Sequence, residues 1–209
     1  CCSIGAAHWV HAIRYNMNMV VMLFDNRIYG LTKGQTSPTS RTGTRSSTHP
    51  TGSVLPALNP LTVTLGVSNV SFVAQTVDWN PGHMMATLEA AYQHQGFSFV
   101  RIIQRCPHFA KGLHDAEQTN PDSTLYLNHE RGITLPEEQA RIYKNRAEHD
   151  PSDLVAGVAH ATEKELIPIG LFYHDPECMR YDDIGAANID TTPEHKLATI
   201  HRELDRFAV

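Results

Sequence analysis

The sequence lacks an excess of basic residues, a long hydrophobic run and a cysteine framework, and each absence narrows what it can do. Seventeen Lys and Arg stand against 22 Asp and Glu, a formal charge of −5. That is the wrong sign for a chain that binds nucleic acid mainly by neutralising phosphates. The longest apolar run covers residues 19–24, far short of the roughly 20 residues a membrane span requires. The opening residues do not read as a secretory signal. Four cysteines (Cys1, Cys2, Cys106 and Cys178) form no disulfide pattern, so a reducing, cytoplasmic setting is expected. What is present is 41% apolar residues, enough for a packed core in one large domain or one domain with an appendage. The chain opens on Cys-Cys-Ser-Ile-Gly without an initiator Met and enters a helix pattern at once. It therefore reads as a fragment lacking its N-terminal part, and any site shared with that part is expected to be incomplete.

Helix and strand signals alternate through the first half. Residues 4–16 place Ala7, Val10, Ala12 and Ile13 on helical spacing. The run 19–24 reads as a parallel strand buried on both faces, followed directly by the polar Asp25-Asn26-Arg27. Residues 31–60 are rich in Thr, Ser, Gly and Pro, which predicts an ordered functional loop or disorder. A short helix is expected over 61–66, a strand over 71–77, a helix over 83–95 stopped by Gly96, and a strand over 98–104 with Cys106 just beyond it. Strands separated by helices predict an α/β fold with a parallel sheet and helices on both faces. Such sheets bind ligands at the C-terminal ends of their strands, where Asp25–Gln35 and Cys106 both fall. The expected division is a domain over 1–110 and an irregular extension wrapping it over 111–209. Within the extension, Ser152 should cap a helix over 152–165. Residues 167–173 should form an edge strand, because Pro168 cannot donate to a ladder. A terminal helix should start near Pro193.

The chemistry concentrates in Asp25-Asn26-Arg27-Ile28-Tyr29-Gly30-Leu31-Thr32-Lys33-Gly34-Gln35. Side-chain oxygens at Asp25, Asn26 and Thr32, close backbone approach at Gly30 and Gly34, and a cation at Lys33 suit a Mg²⁺-bound diphosphate better than a soft metal. The same spacing also fits an ordinary strand-to-loop turn.

This segment, continuing Thr36-Ser37-Pro38-Thr39, resembles the cofactor signature of the β subunit of 2-oxoacid:ferredoxin oxidoreductases, which use thiamine diphosphate. The likeness extends through Gly52, Asn59-Pro60, Phe72-Val73-Ala74 and the strand leading to Cys106-Pro107. Pro168 to Tyr173, followed by Tyr181-Asp182-Asp183, resembles the long form of this β subunit, which leans toward 2-oxoglutarate over pyruvate. Thiamine-diphosphate enzymes also carry a Gly-Asp-Gly half-motif, expected before Cys1.

The resemblance implies roles. Asn26 would ligate Mg²⁺ through its side chain and Ile28 through its carbonyl. Tyr29, Gly30 and Thr32 would line the diphosphate and thiazolium end, Leu31 would pack near the reactive carbon, and Lys33 would face the substrate carboxylate. Gln35 belongs to the signature without a separable role. Cys106 would be one ligand of a [4Fe–4S] cluster, the others lying in the absent part, although on its own it reads as a small buried hydrophobe. The activity implied is oxidative decarboxylation of a 2-oxoacid with coenzyme A and ferredoxin, completed by an α subunit, with no nucleic acid or membrane involved. The alternatives are a non-redox thiamine-diphosphate decarboxylase or carboligase, which needs no Cys106, and a non-catalytic assembly subunit with a degenerate site. Cys1, Cys2 and Cys178 read as packing residues. His8-x-x-His11 lacks the further ligands of a zinc site, Trp9 and Trp79 read as packing, and Arg41 and Arg45 read as a solvated loop.

Overall fold

The computed structural model describes residues 2–186 and 192–207. Helix α1 (Ala6–Arg14) places Trp9 and Ile13 one turn apart on its buried face. The Trp9 ring stacks on Phe99 with centroids 5.4 Å apart. Strand β1 (Met19–Asp25) follows, then a two-stranded hairpin of β2 (Ile28–Tyr29) and β3 (Gln35–Thr36). Helix α2 (Pro60–Leu65), strand β4 (Phe72–Val77), helix α3 (Pro81–Gln93) and strand β5 (Phe97–Ile103) complete the first half. Helices α2 and α3 both start with Asn-Pro. The Asn59 and Asn80 side chains accept from Leu61 N and His83 N, each at 3.1 Å, and proline supplies the first helical φ without losing a needed donor.

Strand β5 lies between β1 and β4 and is parallel to both, in register from Met19↔Phe97 to Asp25↔Ile103 and from Phe72↔Ser98 to Val77↔Ile103. Alternate residues face opposite sides. Val73, Phe97 and Phe99 pack with Trp9, Ile13, Leu61, Leu65 and Ala161 on one side. Phe72, Ala74, Val100 and Ile102 pack with Ala91 on the other. The expected α/β arrangement with helices on both faces is therefore present.

The structure departs from expectation in four places. The sheet order is β1-β5-β4-β8-β6-β7, which puts β1 at an edge. Met22 and Phe24 are 49% and 54% exposed, so the apolar run is not buried on both faces. The second half supplies half of this sheet through β6 (Thr124–Asn128), β7 (Asn145–Glu148) and β8 (Ile167–His174), rather than only wrapping it. Strand β8 is interior, antiparallel to β4 and parallel to β6, so the sheet is mostly parallel but mixed. Pro168 is tolerated because the β4 ladder ends at Gln75↔Gly170, before the proline would have to donate on that side. Finally, helix α6 (Leu154–Ala161) is capped by Asp153, which accepts from Ala156 N at 3.0 Å. Ser152 instead donates its hydroxyl to Asp150.

Short helices α4 (Asp115–Thr119) and α5 (Glu137–Ala140) interrupt the second half, and α7 (Tyr181–Ala186) follows β8. Helix α8 (Pro193–Asp205) forms where the Pro193 start was expected. No helix among the described residues is long and apolar enough to cross a membrane.

Candidate functional site

The parallel register ends β1 at Asp25 beside the end of β5 at Ile103. Gln104 N donates to the Asp25 carbonyl at 3.1 Å, so the two segments leave the sheet together. Two successive Asx turns then redirect the first of them. Arg27 N donates to Asp25 Oδ1 at 3.1 Å, and Ile28 N to Asn26 Oδ1 at 3.3 Å. Arg27 adopts φ +58°. The β2–β3 hairpin is closed at its tip by Lys33 N to Gly30 O and Gly34 N to Tyr29 O, at 3.0 and 2.9 Å.

This hairpin brings Asn26, Ile28, Tyr29, Gly30, Leu31, Thr32 and Lys33 into one element. The loop after β5 packs on it. Cys106 bridges to Ala110, and Phe109 lies so close to Gly34 that an added Cβ would sit 3.0 Å from its ring. Gly34 also has φ +93°, which an L side chain adopts only with strain. Leu31 is 99% exposed, and Thr32 and Lys33 are exposed with it. The described residues give Leu31 nothing to pack on.

Asp25 requires a correction. It is not free to donate oxygens to a metal, because both of its oxygens are committed within the protein. Oδ1 accepts from Thr39 Oγ1 at 2.6 Å and from Arg27 N. Oδ2 accepts from Arg101 Nη2 and Nε at 2.5 and 2.9 Å. Arg101 Nη1 continues to Gln75 Oε1 at 3.1 Å, and Gln75 Nε2 donates to Pro168 O at 2.6 Å. This buried chain of polar groups braces the hairpin from beneath, and sequence reasoning missed it. The available signal was Arg101 itself, a charge inside Phe97-Ser-Phe-Val-Arg-Ile-Ile, since buried charges are kept only when paired.

The remaining donors fit a hard cation and a polar cofactor. Asn26 is half-buried, with its side-chain oxygen folded over the turn that carries Ile28. Magnesium takes few protein oxygens and keeps the rest for phosphate and water. Gln35 Oε1 is buried without a hydrogen-bond partner, an acceptor left for a ligand to satisfy. Tyr29 lines a cavity of about 480 Å³ with Cys2, Thr36 and His49. Cys106 lines another of about 460 Å³ with Asp78, Arg105 and Lys111.

Cys106 is half-buried. Among the described residues no group of three His, Cys, Asp or Glu side chains is arranged to hold a metal, so Cys106 offers at most one ligand here. Of the other thiols, Cys1 lies outside the described residues, while Cys2 and Cys178 are half-buried. Burial raises Cys2 above its usual range. Cys178, pushed up to about 12 by burial and then by Asp175, donates to Val70 O and Asp175, each at 3.2 Å.

Residues 1–102 match the family described as "Thiamine pyrophosphate enzyme, C-terminal TPP binding domain". The first half of the chain, which carries the hairpin, is therefore similar to a thiamine-pyrophosphate-enzyme C-terminal domain. Residues 139–187 match the family of C-terminal segments of the pyruvate ferredoxin oxidoreductase β chain. A 2-oxoacid:ferredoxin oxidoreductase subunit beta from Sulfolobus sp is 32% identical over 203 residues, 93% of this chain and 62% of the relative. The 2-oxoglutarate oxidoreductase subunit KorB of Mycobacterium tuberculosis is 45% identical over 114 residues, 54% of this chain and 30% of the relative. The solved 2-oxoglutarate:ferredoxin oxidoreductase from Magnetococcus marinus, with 2-oxoglutarate, coenzyme A and succinyl-CoA bound, superposes with a TM-score of 0.74 at 30% identity. That match covers 95% of this chain and 63% of the other. The chain is a homologue of 2-oxoacid:ferredoxin oxidoreductase β subunits, and it spans less than two thirds of the length of these relatives.

Proposed function

We propose that this chain is the cofactor-carrying part of a 2-oxoacid:ferredoxin oxidoreductase β subunit, acting on 2-oxoglutarate in preference to pyruvate. The observation that carries the reading is the joining of two strand ends. The Asp25–Gln35 hairpin and the Cys106–Phe109 loop leave neighbouring parallel strands, tied by Gln104 N to Asp25 O, and pack against each other at Gly34 and Phe109. A thiamine site and a redox centre that exchange electrons need such proximity. The names of the M. tuberculosis relative and of the M. marinus structure support the 2-oxoglutarate preference.

In this reading Asn26 Oδ1 and the Ile28 carbonyl hold Mg²⁺, while Tyr29, Gly30 and Thr32 line the diphosphate and the ring. Thiamine diphosphate, when bound, supplies the electron sink for decarboxylation. Gly30 lets the backbone approach the ligand closely, while Gly34 makes room for Phe109. Lys33, on its exposed tip, offers a positive charge to the substrate carboxylate. Leu31 projects where an α subunit would complete the site, excluding water from the reacting end. Cys106 supplies one thiolate to a [4Fe–4S] cluster, and coenzyme A and ferredoxin are the further substrates.

The test is calorimetry of Mg²⁺ and thiamine diphosphate on the assembled enzyme. Asn26→Ala should abolish the Mg²⁺-dependent heat, and Cys106→Ser should remove iron–sulfur absorbance while the cofactor heat persists. Equal cofactor heats for the parent and Asn26→Ala would end the reading. Cofactor binding without any cluster would favour the non-redox decarboxylase.

A further inference from the structure

A second cavity, of about 250 Å³, opens behind the hairpin at the C-terminal ends of β4 and β5, lined by Arg27, Thr39, Arg41, Arg101 and His114. Its cations are not neutralised in the usual way. Arg101 is paired with Asp25. The guanidinium groups of Arg27 and Arg41 have no hydrogen-bond or ion-pair partner among the described residues.

His114 provides an independent observation. It is only 2% exposed, yet both of its ring nitrogens lack a hydrogen-bond partner. The carboxylate of Glu117 stands 3.6 Å from Nδ1, beyond hydrogen-bond reach. Buried polar atoms are rarely left unsatisfied without a ligand or ion to complete them. His114 also adopts φ +67°, in the left-handed region. The other carboxylates on the wall, Glu163 and Glu165, lie with Lys164 on exposed positions of the rim. Glu163 Oε1 already accepts from the backbone of Lys164 and Glu165 at 2.7 and 2.8 Å.

We propose that this cavity binds a small oxyanion, a phosphate or carboxylate group, between the Arg27 and Arg41 guanidiniums with a His114 ring nitrogen as donor at its buried end. Guanidinium forks match the planar or tetrahedral oxygens of such groups. The lining includes none of Asn26, Ile28, Tyr29, Gly30, Leu31 or Thr32; it meets the proposed cofactor hairpin only at Arg27, so the anion site does not rest on that assignment.

The test is calorimetric titration of the full chain with inorganic phosphate and, separately, with succinate, each repeated with Mg²⁺ and thiamine diphosphate present. Saturable binding of one anion is expected, and the tighter arm tells a phosphate source from a dicarboxylate. Arg27→Gln and His114→Asn should each weaken binding by about tenfold or more, the loss of a charge-assisted bond. Asparagine is chosen because it tolerates the left-handed backbone. Arg45→Gln, on an exposed loop position outside the lining, should leave binding unchanged. If Arg27→Gln unfolds, the exposed Arg41→Gln carries the same comparison. No saturable binding of either anion, unchanged affinity in the folded cavity variants, or complete displacement of phosphate by the cofactor would each overturn the proposal.

Discussion

Arg101 reaches from β5 to the last residue of β1 and grips Asp25 with two nitrogens, at 2.5 and 2.9 Å from the same carboxylate oxygen. Arg101 is in register with Leu23, and Asp25, two residues on, points to the same face. The pair is almost fully buried, so losing one partner should cost far more than losing both. Arg101→Leu is expected to lower stability by about 3–5 kcal/mol in urea unfolding. Asp25→Asn with Arg101→Leu should recover more than half of that. A double variant as unstable as the single would show that the ion pair is not the brace inferred for it.

Stability should decline on acidification well before the carboxylates titrate. Burial holds His83 down to about 3, and burial followed by His174 holds His94 down to about 4. Their unfolded values lie near 6.5. Below that pH the unfolded chain takes up protons that the folded chain refuses. The stabilisation is present above pH 6.5 and declines as pH falls toward 4, by about 1.4 kcal/mol per pH unit for each histidine. Urea midpoints at pH 7, 6 and 5 should trace this slope. His83→Leu should make it shallower, and an unchanged slope would mean that His83 does not titrate on unfolding.

The parallel core and the position of the hairpin were legible in the sequence, because β4 and β5 are short, mostly apolar runs and the hairpin signature is local. What was not legible depended on distant partners. Strand β1 is as apolar as β5, but a run of apolar residues predicts burial only where something covers it, and β1 lies at an edge. Strand β7, Asn145-Arg-Ala-Glu, carries too little apolar signal for so short an element. Pro168 argued for an edge strand, yet the ladder beside it ends before its missing N–H matters. Asp25 read as one of the segment's available side-chain oxygens because its partner Arg101 lies 76 positions away. His114 carried no sequence signal, since its interest lies in which atoms fail to meet it.

The contact between Gly34 and Phe109 should be measurable as a coupling. Gly34→Ala meets both a φ of +93° and a ring atom at 3.0 Å, so a loss of about 1–3 kcal/mol is expected. Phe109→Ala relieves the contact but not the backbone strain. In a double-mutant cycle the two changes should couple by more than about 0.5 kcal/mol. Additive losses would mean that the Cys106 loop does not rest on the hairpin in solution.

The cap of α6 separates two adjacent residues. Asp153 accepts from Ala156 N, whereas Ser152 only supports Asp150. Asp153→Ala should cost about 1 kcal/mol, and Ser152→Ala less than about 0.5 kcal/mol, as for an ordinary surface change. Equal losses in thermal melts would return the cap to Ser152.

The final prediction reverses the usual sign of a helix substitution. In an exposed helix interior, replacing Gly by Ala gains up to about 1 kcal/mol, because glycine gives up more backbone freedom on folding. Gly157 lies inside α6 but is buried against β8, where an added Cβ would stand 2.3 Å from the Phe172 carbonyl oxygen. That oxygen belongs to a core strand and already faces His149 Nε2 at 2.9 Å, so it cannot swing aside. Helix and strand would have to separate, opening the contact between Ala161 and the core beneath it. Gly157→Ala should therefore destabilise by about 1–3 kcal/mol or more. Ala159→Gly, two residues on and exposed, should cost only the propensity difference of about 1 kcal/mol. A Gly157→Ala protein with a higher melting temperature would place α6 farther from the sheet than described.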